Sequence, residues 1–206
     1  MEIDIHYFGK VNIPDYYQQV DSLPDDPEDS QAFMTQTENA QCLVMAYPIS
    51  QGRAMPYDNV EEVIDGIHRS HSDDQGLVEV INGVTETERR YIYSIVKTKC
   101  EPSGVQYFLL LHIESADGNA AVQGFFTEAG TTGARDAVIY ELAIREGWVK
   151  VGDMSGWARD PYDPDYSRGF LMNISEEARF DEAFQAHPLS LARALVKSIV
   201  SDGAKA

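Results

Sequence analysis

Apolar positions along this chain alternate with a period of two over several stretches and switch to helical spacing in a few others. Glu2–Tyr7 alternates as a short strand, and Lys10–Ile13 continues the hairpin before Pro14. Gln31–Thr37 and Gln41–Pro48 form a strand pair around Glu38-Asn39. Arg90–Cys100 is a further strand, and Glu101-Pro102-Ser103-Gly104 turns it into Val105–Glu114. Within that stretch Tyr107, Leu109, Leu111 and Ile113 share one side, and Phe108, Leu110 and His112 share the other. Both sides are largely apolar, as expected for a strand in the middle of a layered domain. Asp117-Gly118-Asn119 is a turn signal, and Ala120–Glu128 returns as the next strand.

The helical stretches have their own punctuation. Asp58 is placed to cap a helix whose inner side is Val60, Val63, Ile64 and Ile67. Asp73 or Asp74 is expected to cap a second helical turn carrying Leu77, Val78, Val80 and Ile81, ended by Asn82-Gly83. The Gly130–Asp136 turn opens a helix from Arg135 to Glu146, with Val138, Ile139, Leu142 and Ala143 as its stripe and Gly147 as its stop. Ser175 is expected to cap a short helix through Phe184. Pro188 then opens the last helix, Leu189–Val200, which buries Leu191, Leu195, Val196 and Ile199. The element order predicts one α+β domain over residues 1–206, an antiparallel sheet of about five or six strands. Helices on both faces would make it an α/β/α sandwich, with 148–206 a loop-plus-helix extension packed on the sheet.

Charge narrows the partners. The 206 residues include 34 acidic and 16 basic side chains, a formal net charge of -18. Such a field repels phosphate backbones and anionic lipid, which argues against nucleic acid and membrane surfaces. Five acids between Asp21 and Ser30, among two prolines, make an exposed loop, either simply solvated or a lure for a basic partner. Met1–Ile5 has neither a basic start nor an apolar run, so no secretory leader is expected. Cys42 and Cys100 lie in strand-like segments as reduced thiols, which suits a cytoplasmic protein. The oligomeric state is left open.

The run Gly9-Lys10-Val11-Asn12-Ile13-Pro14-Asp15-Tyr16-Tyr17 enters from a strand into a proline and aromatics. A hairpin, a helical stretch, three antiparallel strands over Arg90–Glu128 and a helix follow. Over about residues 1–147 this order resembles the PsbP-like superfamily, which includes DcrB-like bacterial proteins and an extrinsic subunit of photosystem II. The resemblance implies an antiparallel sheet between helical layers and a non-catalytic binding, assembly or chaperone-like role. It carries no functional residue onto a matching position. Trp148–Ala206 extends past the family's usual length.

Candidate chemistry is sparse. Gly130–Asp136 presents backbone N–H groups at a helix start, an arrangement that attracts anions, but it lacks the P-loop lysine and the GxGxxG spacing. Its structural reading has Thr131 or Thr132 capping the helix, Asp136 complementing the dipole and Arg135 pairing with Glu128. His68 and His71, spaced i, i+3 beside Asp73 and Asp74, suit either a transition metal or an exposed helix face, and no HExxH is present. Asp160, Asp163 and Asp165 suit either calcium or a rigid proline turn, without the EF-hand glycine and glutamate. Trp148, Trp157, Tyr162, Tyr166 and Phe170 crowd one loop. Outward rings would make an interface and inward rings would close the core; Trp148 and Trp157 are expected to pack inward. His187 suits a general base, and Ser190 or Cys100 a nucleophile, yet no GxSxG accompanies them. His112 is expected in the core, and His6 has no evident partner.

These readings assign no catalytic residue, no metal ligand and no cofactor. They assign binding to Glu128, Thr131, Thr132, Arg135, Trp157, Asp160, Tyr162 and Tyr166. The expected function is a soluble, non-catalytic binding or assembly module that recognises a protein. The alternative is an enzyme or small-ligand binder with a cleft near Glu128, Arg135, Asp160 and His187.

Overall fold

The strand at Val105–Ser115 lies deep within the sheet, with partners on both edges, as its two apolar sides require. The computed structural model describes residues 1–5, 9–49, 55–115, 118–152 and 154–201. His6, Tyr7 and Asp117 lie outside the described residues. The strands are β1 (Glu2–Ile5), β2 (Gly9–Asn12), β3 (Gln18–Val20), β4 (Gln31–Gln36), β5 (Ala40–Ile49), β6 (Gln75–Val84), β7 (Arg90–Lys99), β8 (Val105–Ser115) and β9 (Gly118–Glu128). The helices are α1 (Val60–Ser70), α2 (Ala134–Arg145) and α3 (Pro188–Val200). β1 and β2 pair with each other, and the rest form a seven-stranded sheet in the order β3-β4-β5-β9-β8-β7-β6. Every pairing is antiparallel. Successive hairpins build β6 to β9, and β9 then closes against β5 to join the earlier meander. The protein is thus α+β with a large antiparallel sheet. Two more strands than the alternation suggested extend its margins, β3 and β6.

Packing follows strand parity. Tyr107, Leu109, Leu111 and Ile113 of β8 join Val122 and Phe126 of β9 and Val44 of β5 in the main core. That core takes in Leu189, Ala192, Leu195, Val196 and Ile199 of α3, whose register realises the expected stripe. Ile92 and Val96 of β7 instead meet Leu77, Val80 and the inner side of α1. A third cluster joins Ile139 and Ala143 of α2 to Val149, Trp157, Ile174 and Phe184.

The segment expected as a second helical turn is β6. Its apolar residues imitate helical spacing because the register slips between Leu77 and Glu79. That bulge sends Leu77 and Val80 to one cluster while Val78 enters the main core. The helix expected from Ser175 to Phe184 is two short 3₁₀ turns, Ile174–Glu176 and Ala178–Phe180. Glu177 between them is extended (ψ 138°), and that interrupts the helix. The cap of the first turn is Asn173, whose side chain accepts from Ser175 N–H while Glu176 reaches back to Asn173 N–H. For α1 the cap is Asn59, which accepts from Glu62 N–H, and Asp58 instead pairs with Arg90 at 2.5 Å.

β6 is a sheet edge, and the aromatic loop covers it. The Tyr162 hydroxyl accepts from Val80 N–H at 2.6 Å and donates to Val80 O at 3.0 Å. Phe170 N–H donates to Gln75 O at 2.7 Å. Backbone contact this close needs glycine, since a Cβ on Gly76 would lie 1.7 Å from the Phe170 carbonyl oxygen. The loop therefore takes up the hydrogen-bonding groups that would otherwise invite another strand.

Candidate functional site

A buried charge network ties the segment before α3 to the sheet. Lys97 and Glu176 have side chains 0% and 1% exposed and pair at 2.7 Å, and Tyr107 O–H donates to the same carboxylate at 3.0 Å. The Phe170 ring lies 3.8 Å from the Lys97 ammonium. Arg135, also buried, donates through Nε to Ser175 O, through Nη1 to Ser190 Oγ, and through Nη2 to Glu177 O and Asp181 Oδ1. Arg193 continues the network to Asp181, Glu79 and Glu176 O. The expected Arg135–Glu128 pair is not formed; Arg135 turns inward to Ser175 O and to Glu177 O, which also accepts from Phe180 N–H across the second 3₁₀ turn. Ser190 is part of this network.

Above Arg135 opens a hollow of about 470 Å³, lined among others by Asn39, Glu128, Thr131, Phe184 and His187. Glu128 Oε2 accepts from Val105 N–H at 3.0 Å, and Oε1 accepts from Gly133 N–H at 3.1 Å. His187 caps α3: its Nδ1 accepts from Leu189 N–H, so the ring proton sits on Nε2, 3.4 Å from Glu128 Oε1. Burial pushes the Glu128 carboxyl up, but the hydrogen bonds from His187, Gly133 and Val105 outweigh it and hold it below the usual glutamate range. Glu128, not Thr131 or Thr132, meets the first N–H of the α2 turn, and Gly133 holds the N-cap position with φ 72°. Thr132 reaches Ser103 instead. Asp136 does sit in the first turn of α2, where it accepts from Ser175 Oγ and Asn173 Nδ2. Glu128, Thr131, Arg135 and His187 are therefore brought together.

Asp160, Tyr162 and Tyr166 belong to another cluster. Asp160 Oδ2 meets His68 Nε2 at 2.9 Å, and its other oxygen accepts from Tyr162 and Asp163 N–H, the geometry of a turn-forming aspartate. Tyr166 stacks on His68 at 3.9 Å between centroids. Trp157 packs edge-on to Tyr140 in the α2 cluster, whereas Trp148, expected inside, is 40% exposed under the Arg179 guanidinium. Its ring is held by cation–π contact rather than by the core. Among the described residues no group of three or more His, Cys, Asp or Glu is placed to hold a metal ion.

His71 ends α1 with its ring buried and neither ring nitrogen bonded. Burial, then the nearby His68, holds its imidazole below the ordinary value of 6.5, with Asp160 opposing and Arg168 assisting. The unfolded chain gains this proton near pH 6.5 and the folded chain only at lower pH. Stability is thus insensitive to this group above pH 6.5 and falls as the pH drops through it. Urea midpoints compared at about pH 7.5 and about pH 5.5 are expected to show this fall, with a smaller one in His71→Phe.

The opposite parity of the central strands produces a surface that sequence reasoning missed. Registers place Met34, Leu43, Phe125 and Phe108 side by side across β4, β5, β9 and β8. Leu43 is 43% and Met34 39% exposed, and Phe108 and Phe125 are half-buried, with rings 5.2 Å apart. The same parity brings Gln18, Gln36, Gln41, Gln106, Gln123 and Thr127 around them. On β3, β4, β5 and β9 this set contains no charged side chain; on β8 it contains only Glu114, paired with Arg90. The signal was available in the alternation of Gln41, Leu43, Met45 and Tyr47, an outward row too apolar for solvent.

No helix among the described residues is long and apolar enough to cross a membrane. No protein-family model matches the sequence, and no curated protein matches it either. Among solved structures, the chain is similar to a Pseudomonas aeruginosa protein of unknown function at 14% identity and a TM-score of 0.35, covering 70% of this chain and 93% of that one. It is also similar to the Saccharomyces cerevisiae Ran-binding protein Mog1p at 7% identity and a TM-score of 0.40, covering 98% of this chain and 95% of that one.

Proposed function

We propose that this chain is a non-catalytic, cytoplasmic binding or assembly module that recognises another protein through the outer side of β4, β5, β9 and β8. The observation that carries the reading is the Met34–Leu43–Phe125–Phe108 row, uncharged and part-exposed on a chain of net charge -18. Interface centres favour aromatic residues and methionine and exclude charge. The helical layering is read as the α/β/α sandwich implied by the PsbP-like resemblance. Alternate residues of β7 meeting α1 and the main core support it. In that arrangement α1 covers β6 and β7, and the rest of its side is left for a partner. Glu128, Arg135 and His187 are each engaged by neighbouring groups of the chain, which suits a scaffold better than a reactive centre.

The test is affinity capture with the purified chain. A partner retained by wild type and by Val138→Gln on α2, but lost with Met34→Gln/Leu43→Gln, is expected. Retention by all three forms overturns the reading.

A second reading follows from the hollow. Glu128, Thr131, Arg135 and His187 converge on about 470 Å³, a volume suited to a small ligand, although Asp160 is elsewhere. It predicts that a metabolite panel raises the melting temperature of wild type and not of His187→Gln. An equal shift in both, or none, removes it.

A further inference from the structure

The side chains bordering the uncharged row indicate what kind of partner fits it. Tyr57 O–H donates to Asn119 Oδ1 at 2.7 Å, which fixes the start of α1 at the end of the sheet where Ile49 pairs with Asn119. Asp58, Glu61 and Glu62 are exposed there. The Asp21–Ser30 loop joins β3 to β4 at the same end, because Val20 pairs with Ala32 and Gln31 with Ala46. The face that carries the apolar row therefore ends in two acidic segments, three residues along β4 from Met34 and six along β9 from Phe125, while the row itself carries no charge to repel a counterpart.

We propose that this face takes an amphipathic helix of another protein, with an apolar stripe on Met34, Leu43, Phe108 and Phe125 and lysines or arginines directed at the two acidic borders. The proposal rests on the protein-binding reading above and specifies the partner's chemistry. A helix fits because α1 already packs on neighbouring strands of the sheet, through Val60, Val63, Ile64 and Ile67, and leaves β5, β9 and β8 as the adjoining berth. Charge complementarity selects a basic helix over a second copy of this chain, since two copies would oppose identical acidic borders.

The experiment is fluorescence anisotropy with two synthetic helical peptides, leucines at i, i+3, i+4 and i+7 in both, lysines elsewhere in one and glutamates in the other. Sedimentation of the chain alone accompanies it. The Leu/Lys peptide is expected to bind, to weaken about tenfold with Met34→Gln/Leu43→Gln and to be unaffected by Val138→Gln. These swaps leave net charge unchanged and sit at exposed positions, so the loss reports apolar contact alone. Reversing the border with Glu61→Lys/Glu62→Lys is expected to weaken it again, and raising the salt likewise. If the Leu/Glu peptide binds equally well through the same two residues, the face binds helices without charge selection; the inference fails and the protein-binding reading stands. A dimer dissolved by Met34→Gln/Leu43→Gln makes a second copy the occupant and also overturns the inference. Binding of the Leu/Lys peptide that is indifferent to Met34→Gln/Leu43→Gln is surface electrostatics; with unchanged capture of a natural partner, it removes both.

Discussion

Replacing Glu176 by glutamine is expected to lower the unfolding free energy by about 3–5 kcal/mol, a large share of the roughly 5–15 typical of a domain. Glu176 is 1% exposed and accepts from Lys97 Nζ, Tyr107 O–H and Asn173 N–H. The amide keeps most of the shape but leaves the Lys97 ammonium, itself 0% exposed, facing a neutral group. A buried charge without its counterion is the costly outcome; solvent cannot enter to relieve it. Phe170 offers its ring face, a contact too weak to replace a carboxylate. For a chain of this length the melting temperature should drop by about 10 °C. Lys97→Met should destabilise comparably by stranding the carboxylate, and Lys97→Met/Glu176→Gln should recover more than half of the loss, because no lone charge remains. Urea unfolding of the four forms measures the cycle. A loss below about 1 kcal/mol in both single variants would show that the pair is not buried as described.

Arg135→Met is expected to cost a similar amount, about 3–5 kcal/mol, by a different route. The guanidinium serves four acceptors on one segment: Ser175 O, Glu177 O, Ser190 Oγ and Asp181 Oδ1. Asp181 retains Arg193 at 3.1 Å, so the ion pair is partly backed up. Glu177 O likewise keeps Phe180 N–H at 3.1 Å, so the loss falls mainly on Ser175 O. Hydrogen exchange should show the loss concentrated at residues 174–190 rather than spread over the sheet. Arg135→Lys should not rescue it, since a single ammonium cannot reach acceptors spread over a planar fork. Full rescue by lysine would mean that charge alone, not the fork, holds the segment.

Local pattern carried far into this structure. The alternation at Val105–Glu114 marked an interior strand, and Pro188 with Leu191, Leu195, Val196 and Ile199 marked the last helix and its inner side. The errors occurred where two geometries share one pattern. Leu77, Val78, Val80 and Ile81 fit a helical stripe as well as a bulged strand, and only pairing with β7 distinguishes them. The hollow is half legible: Glu128, Thr131, Arg135 and His187 stand out in the sequence, but the partners of Arg135 lie about forty residues or more further on, where no spacing rule applies. The loop aromatics were visible as a group. Their use was not, because covering β6 with Tyr162 depends on which strand ends the sheet.

The residues by themselves determined the alternation of most strands, the acidic balance and the positions of α1, α2 and α3, since propensity, capping and charge act over a few neighbours. The tertiary structure decided that Met34, Leu43, Phe108 and Phe125 form one continuous row. It also decided that Lys97 meets Glu176 in the dry interior. Both depend on register between strands and segments far apart in the chain, where backbone hydrogen bonding and burial of the whole sheet select one alignment among many locally equivalent ones.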